Sequence, residues 1–484
     1  MEMDSKKLYK LSLTRDPRFD GLFFMCVKTT GIYCRPVCPA RKPKPENCIF
    51  VKSAAAAEEA GYRPCQRCRP ETAPGSPPWM GTTTTVNRAL RLLGNPAEAG
   101  KIPDLAGRLG VGDRHLRRLF REQLGAPPKA LLQTERLRLA RQMLTDSSLS
   151  ISQIAFASGF NSIRRFNDAW VNVFGVSPRT WRREMSRKAD TGAGPGTTIL
   201  LGFRRPFYWD RVLGFLKKRA IPGVEAVSSN AYMRTVRLNG AKGWVRAERL
   251  KGKDQLEIRL WFADKQNLLP VIRRIREMFD LDAVPEVFAG DLRRDPLLKK
   301  LMSGKHLNRI PGCWDVFELC LRAVVGQQIT LKAAQTILGR IAGRAGGEAI
   351  EGPDGEAMRL FPRAEDVATA DLAAIGLTGK RLETVKTIAA AFAEDALYLH
   401  AGMDMDEARA RLLAIPGVGA WTAEYVLLRG LKFPDAFPEA DLGLLKAANE
   451  NTPANLRKRA EAWRPWRGYA ALLLWDSLSN GSDT

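Results

Sequence analysis

The chain has 484 residues, enough for about three or four domains of roughly 150 residues each. Its 76 Lys+Arg against 52 Asp+Glu give a formal net charge of +24 and a pI near 9.9, which points to a polyanionic partner, nucleic acid first and an anionic membrane second. No window approaches the roughly 18 uninterrupted apolar residues of a membrane span, the MEMDSKKLYK terminus lacks the apolar core of a signal peptide, and a 45% hydrophobic composition excludes global disorder, so a folded cytoplasmic protein is expected.

Four regimes follow one another and predict a multidomain α+β chain. They are a small metal-binding module over 1–72, an all-α basic module over 84–187, a mixed α/β module over 197–310 and an all-α module over 311–484. ETAPGSPP and KADTGAGPG read as linkers after the first and second modules.

Six of the eight cysteines, Cys26, Cys34, Cys38, Cys48, Cys65 and Cys68, crowd into the first seventy positions, a clustering that in a cytosolic chain suggests metal rather than disulfides. Cys34 and Cys38 in YCRPVC and Cys65 and Cys68 in PCQRC form two pairs, the pattern of a tetrahedral four-thiolate zinc site. Cys26 and Cys48 lie outside it and read as small buried hydrophobes. The run FFMCVKTTGIYCRPVCPARKPKPENCIF, followed by GYRPCQRCRP, resembles the N-terminal domain of the Ada-type adaptive-response proteins over residues 8 to 71. That resemblance implies that Cys34 is both a zinc ligand and the acceptor of a methyl group from a DNA methylphosphotriester. It also implies that Arg41, Arg63 and Arg67 occupy basic positions that hold phosphates. The chemistry is consistent, because zinc keeps a thiol deprotonated at neutral pH while leaving it nucleophilic. Methylation takes the site from formal charge −2 to −1, which strengthens DNA binding and makes the site an electrostatic switch.

Residues LAGRLGVGDRHLRRLFREQLG break at Gly110 and resume as an arginine-rich amphipathic helix from about Asp113, a helix-turn-helix pattern. ISQIAFASGFNSIRRFNDAWVNVFGVSP repeats it, with a turn at Gly159 and Asn161 or Ser162 as N-cap. Two such units closed by FGVSPRTWRR resemble the AraC-type DNA-binding domain over about 84 to 186. Arg114, Arg117, Arg118, Arg164 and Arg165 are the candidates to face phosphates or base edges.

After the second linker, WDRVLGFLKKRA has helical spacing, and YMRTVRL, GWVRAERL and QLEIRLWF alternate like antiparallel strands. Downstream, LLAIPGVGAWTAEYVLLRG places Gly417 and Gly419 in a turn between helices, where small residues let backbone N–H groups approach a phosphate. With DAFPEADLGLLKA and WRPWRGYAALLLW, this segment resembles the helix-hairpin-helix glycosylase superfamily, in particular 3-methyladenine-DNA glycosylase II, over about 197 to 478. The resemblance implies that Asp441 is the catalytic aspartate and that Trp421, Tyr425, Trp475 and Phe215 form the aromatic base pocket. Electron-rich rings select a cationic N-alkylpurine by cation–π attraction, worth on the order of 0.5 to 2 kcal/mol per contact. Trp421 stands where bifunctional members carry a lysine nucleophile, so the enzyme is expected to be monofunctional. No cysteine follows Cys320, which excludes the iron–sulfur branch. Gln328 stands where the relative has a leucine wedge, and the wedge is left unassigned.

The reading is an alkylation-repair protein with zinc as cofactor and double-stranded DNA, both alkylated and promoter, as partner, RNA polymerase being a further candidate. It would be a 3-methyladenine glycosylase, a stoichiometric methylphosphotriester acceptor at Cys34 and a methylation-activated regulator. The alternative is a zinc-containing transcription regulator whose C-terminal half binds damage without catalysis.

Overall fold

The computed structural model describes residues 5–16, 19–65, 67–68, 70, 85–86, 89, 93, 102–109, 111–146, 149–186, 196–238, 240–262, 268–303, 309–352, 355, 357–397, 399 and 403–479. The Gly110 break and nearly all of both linker stretches lie outside them. The chain divides into two units, one of Met1–Arg205, Leu250–Arg273 and Leu281–Ala283 and the other of Pro206–Arg249, Arg274–Asp280 and Val284–Thr484. Among the described residues no helix is long and apolar enough to cross a membrane.

The first unit begins with a small sheet of strands β1 (Phe24–Val27), β2 (Ile32–Cys34), β3 (Cys48–Val51) and β4 (Arg63–Pro64) in the order β3-β1-β2-β4. Side chains alternate across a strand, so Met25 and Val27 join one core with Phe23 and Phe50, while Phe24 and Cys26 join another with Tyr33, Ala54 and Ala57. Cys26 is fully buried, and burial pushes its thiol up to about 12. These short strands carry no clear alternation, which is why the sequence pattern does not reveal them.

Two helix pairs follow, Ile102–Arg108 with Asp113–Leu124 and Ile151–Ala157 with Ile163–Phe174, separated by the long helix Pro128–Asp146. Ser150 and Gln153 form a reciprocal capping box at the second pair. Gly159 takes φ +87° in the turn, and of the two N-cap candidates Ser162 is the one that caps, accepting from Arg165 N at 3.2 Å. The zinc-module residues dock on this helical body through polar groups. Glu58 accepts from Tyr33 Oη at 2.8 Å and Thr134 Oγ1 at 2.6 Å, Ser53 Oγ donates to Leu124 O at 2.8 Å, and the buried Arg141 donates to Cys65 O at 3.2 Å. The same unit holds an antiparallel pair, Thr197–Gly202 with Gln255–Phe262.

The second unit opens with the helix Trp209–Lys217 and an antiparallel meander of Glu225–Val227, Ala231–Leu238 and Ala241–Arg249, followed by an almost wholly helical segment. Two of the three strands expected from alternation form this meander and the third is Gln255–Phe262. Thr197–Gly202 and Glu225–Val227 add strands that no alternation signalled. A buried ionic cluster ties the meander to the helix Val316–Val325: Arg234 Nη2 donates to Glu318 Oε2 at 2.7 Å, and Arg322 donates to Glu318, to Glu225 and to the backbone oxygen of Arg219. Arg219 lines the cavity described below, so this cluster fixes one wall of the site.

Burial alone would raise the Glu318 carboxyl, but Arg234 and Arg322 outweigh it and hold it at about 2. A depressed acid contributes stability that is present above its unfolded value near 4.5 and is lost as pH falls toward 2. Glu318→Gln, which leaves arginine charge buried with one partner fewer, is expected to cost about 3 kcal/mol or more and to remove much of the acid-dependent loss. Denaturant unfolding at pH 7 and pH 3 of both chains measures both effects.

Candidate active sites

The strand pairing of the first unit assembles the cysteines. β1 pairs antiparallel with β2, Met25 opposite Cys34, and β2 pairs parallel with β4, Tyr33 opposite Pro64, so the residue ending β2 and the residue following β4 lie side by side. Cys65 N donates to Tyr33 O at 3.0 Å, and a tight turn closed by Cys38 N to Arg35 O at 3.1 Å brings Cys38 back. The sulfurs of Cys34, Cys38, Cys65 and Cys68 all lie within 4.8 Å of one another, with Cys38 and Cys65 at 4.0 Å. A tetrahedral zinc with Zn–S of about 2.3 Å spaces its sulfurs by about 3.8 Å, so the four residues fit that ion, and zinc is the cofactor. Crowding of the thiols spreads their acidities: hydrogen bonds within the set push Cys34 and Cys68 up and Cys38 and Cys65 down. A cation is what lets all four ionise together.

Arg35 braces the cluster. Its backbone N–H donates to Cys68 Sγ at 3.4 Å, its Nη1 to Cys68 O at 2.9 Å and its Nε to Asp20 Oδ1 at 2.8 Å. A cavity of about 610 Å³ opens beside Cys34 and Cys38, lined by Arg41, Arg63 and Arg67 and, from the helical module, by Phe174 and Trp181. The structure thus brings the three arginines to the cavity beside Cys34. Lys42 also lines this cavity, and burial pushes its ammonium down. Arg35 and Lys42 stand within the cysteine motif, YCRPVCPARK, where their charge was visible but their partners were not. Phe174 and Trp181 gave no sequence signal beyond core packing.

On the helical module, Arg114, Arg117 and Arg118 are exposed on Asp113–Leu124, opposite the buried Leu116 and Phe120, and Arg164 and Arg165 are exposed on Ile163–Phe174, opposite Phe166 and Trp170. Arg117 pairs with Asp113 at 3.0 Å and Arg118 with Glu122 at 3.1 Å, both at i,i+4 spacing and solvated.

In the second unit the turn before Ala420–Arg429 requires glycine. Gly417 has φ +87°, and a Cβ there would fall 2.0 Å from Thr384 Oγ1. Gly419 is the N-cap, with nothing within 4 Å of the place of a side chain, so the helix start is open to a ligand. Gln327 Nε2 ties this turn by donating to Gly417 O at 3.3 Å and Thr422 Oγ1 at 2.9 Å.

Asp441 caps the helix Leu442–Ala448, accepting from Leu444 N at 2.8 Å. It also accepts from Trp421 Nε1 at 2.6 Å on Oδ2 and from Trp475 Nε1 at 2.9 Å on Oδ1. Trp421 and Tyr425, four residues apart on one helix face, stack with centroids 5.2 Å apart and planes at 12°, and Trp475 meets Tyr425 edge-on at 6.4 Å. With Phe215 these residues line one cavity of about 520 Å³, so all five predicted pocket residues converge. Gln328 is exposed with φ +55° and lies within hydrogen-bonding reach of Arg381.

Of the arginines that line this cavity, all missed by sequence reasoning, two lie against its rings. Arg219 lies over the Phe215 ring at 3.8 Å, and Arg429 faces Phe215 at 4.8 Å and Tyr425 at 5.1 Å. Each is four residues after an aromatic pocket residue, Phe215 or Tyr425, and that spacing could have found them. Burial works to raise the Tyr425 phenol, but the charges of Arg429 and Arg219 and their hydrogen bonds outweigh it and hold it below the usual tyrosine range.

The chain matches three family models: the metal binding domain of Ada over residues 7–71, a helix-turn-helix domain over 105–184 and the AlkA N-terminal domain over 198–315. It is 39% identical over 487 residues to the "Probable bifunctional transcriptional activator/DNA repair enzyme AlkA" of Mycobacterium tuberculosis (strain CDC 1551 / Oshkosh), covering 99% of this chain and 98% of that one. It is 32% identical to DNA-3-methyladenine glycosylase 2 of Escherichia coli (strain K12), over 57% of this chain and 95% of the relative. Among solved structures it shares the fold of the 3-methyladenine DNA-glycosylase from Archaeoglobus fulgidus, with a TM-score of 0.51 and 22% identity over 59% of this chain and 99% of that one. By full-length similarity the chain belongs to the family of AlkA-type bifunctional transcriptional activator/DNA repair enzymes.

Proposed function

We propose that the chain is an adaptive-response DNA alkylation repair protein with two chemistries, and that the observation carrying this reading is a carboxylate presented by two tryptophans inside an aromatic cavity. A flipped N-alkylpurine enters that cavity after leaving the duplex at a cost of a few kcal/mol and stacks against Trp421, Tyr425 and Trp475. Its positive charge makes it a good leaving group. As the C1′–N bond breaks, Asp441 stabilises the oxocarbenium-like sugar and orients or deprotonates the water that adds to C1′. Gly417 and Gly419 admit the DNA backbone to the start of Ala420–Arg429. Trp421 offers no amine for a Schiff base, which supports a monofunctional glycosylase.

In the first unit the ion held by Cys34, Cys38, Cys65 and Cys68 supplies the charge that keeps the sulfurs as thiolates. Cys34 Sγ attacks the methyl carbon of a phosphotriester, the S–C bond forms as the C–O bond breaks, and a phosphodiester anion leaves. Arg41, Arg63 and Arg67 bind the flanking phosphates. The site then carries one negative charge fewer, and the arginine-bearing helices Asp113–Leu124 and Ile163–Phe174 engage promoter DNA more tightly. RNA polymerase is proposed as a further partner of the promoter-bound chain.

Asp441→Asn is expected to lower release of alkylated purines about 100-fold or more. Base release by neither chain would instead support the damage-binding regulator, and release unchanged by the substitution would take the catalytic role from Asp441. Removing zinc with a chelator is expected to abolish methyl acceptance at Cys34 while base release continues at its original rate, since none of the described residues lining the base pocket lies in the zinc-bearing unit. Both activities can be followed in one incubation, and methyl acceptance that survives full zinc removal contradicts this assignment.

A further inference from the structure

We infer that Lys42 is a catalytic residue of methyl transfer, its ammonium hydrogen-bonding the phosphoryl oxygen that departs as Cys34 takes the methyl group; this rests on the reading of Cys34 as a phosphotriester acceptor. Four cations line the cavity beside Cys34, and their exposure divides them. Arg41, Arg63 and Arg67 are exposed, as suits contacts with flanking phosphates on the DNA surface, whereas Lys42 is half-buried. The Cys34 side chain is itself buried, so an ester that reaches its sulfur must enter the cavity, and of the four cations Lys42 is the one withdrawn from solvent. Lys42 Nζ donates to Pro36 O at 2.9 Å. Pro36 lies in the loop between Cys34 and Cys38, so this bond ties the ammonium to the segment that carries the acceptor. The charges of Cys38, Cys34 and Cys68 reach it there. An ammonium has three N–H donors. Among the described residues Lys42 has no carboxylate partner and makes no hydrogen bond to a sulfur, which leaves two donors open to a ligand. A cation withdrawn from water without an anion beside it costs stability, and this one lines a cavity in which the reaction produces an anion.

The chemistry gives these donors a use. A lone pair of the Cys34 sulfur forms the S–C bond as the C–O bond of the ester breaks, and the electron pair of that bond stays on the oxygen. The thiolate becomes a neutral thioether and the neutral triester becomes a phosphodiester anion, so one negative charge passes from sulfur to oxygen. A donor whose hydrogen bond strengthens as that charge arrives lowers the barrier. Lys42 keeps its proton throughout, because a phosphodiester is too weak a base to take it, and the anion leaves with the DNA.

The test compares two methyl donors on the zinc-loaded full chain and on its Lys42→Gln and Lys42→Arg variants. One donor is a duplex bearing a methylphosphotriester, followed in a single turnover at saturating DNA so that binding does not enter the rate. The other is methyl iodide, which reports the nucleophilicity of Cys34 with no phosphoryl oxygen present. Glutamine keeps a donor for Pro36 O and removes only the charge. In Lys42→Gln, transfer from the phosphotriester is expected to fall at least about tenfold, while zinc content, thermal unfolding and the rate with methyl iodide stay unchanged. Lys42→Arg is expected to recover most of the loss. Phosphotriester transfer that is unaltered in Lys42→Gln overturns the inference. An equal fall with both donors, or loss of zinc, overturns it as well, since Lys42 then acts on the cysteine cluster and not on the departing oxygen. An unaltered chain that takes a methyl from methyl iodide but none from the phosphotriester overturns the acceptor reading, and this inference with it.

Discussion

The second unit is organised around one carboxylate. A half-buried anion must keep its hydrogen bonds or shift its charge state, and Asp441 meets that demand with the N–H of Leu444 and the indoles of Trp421 and Trp475. Those three bonds reach across three helices, Ala420–Arg429, Leu442–Ala448 and Arg467–Ser479. The same contacts therefore aim the carboxylate, set the planes of two aromatic rings and line the cavity of about 520 Å³ beside them. The stacking of Tyr425 on Trp421 and the close approach of the helix-hairpin-helix turn at Gly417 both follow from the placement of Ala420–Arg429, which the Asp441–Trp421 bond helps to fix.

The first unit solves a related electrostatic problem with the sign of the solution reversed. Four sulfurs within 4.8 Å cannot all be anions without a cation among them. Around this centre the chain places Arg41, Arg63 and Arg67, and it closes the cavity with Phe174 and Trp181 from the helical module. Arg141 links the two modules, donating to the carbonyl of the ligand Cys65 while lying over the Trp181 ring at 5.0 Å. A change at the cysteine cluster thus meets residues that also pack the DNA-binding helices, a physical route by which methyl acceptance and DNA affinity are coupled.

Much of this was legible in the sequence, for identifiable reasons. The cysteine pairs, the two glycine-broken basic helix pairs and the Pro-Gly-Val-Gly turn are local patterns, so their residues could be named before their geometry was known. The aspartate and its aromatic partners were named through resemblance, and the structure brings them into one cavity. What stayed hidden is non-local or too short to pattern. The strands of two to four residues in the zinc module show no alternation, and Glu58 binding Tyr33 and Thr134 spans 25 and 76 positions. Arg219 and Arg429 looked like ordinary basic residues on amphipathic helices, and only their i,i+4 spacing from Phe215 and Tyr425 hinted at the pocket.

The central claim is that one chain carries two distinct repair chemistries, and tracing a methyl group tests it most directly. DNA treated with an alkylating agent bearing a radiolabelled methyl is incubated with the full chain, and the label is followed into free bases and, by peptide mapping, into protein. The account predicts label in both places, with the protein-bound label confined to Cys34. Label in free bases alone would make the cysteine cluster structural, label on Cys34 alone would reduce the Asp441 pocket to damage binding, and either result contradicts the account.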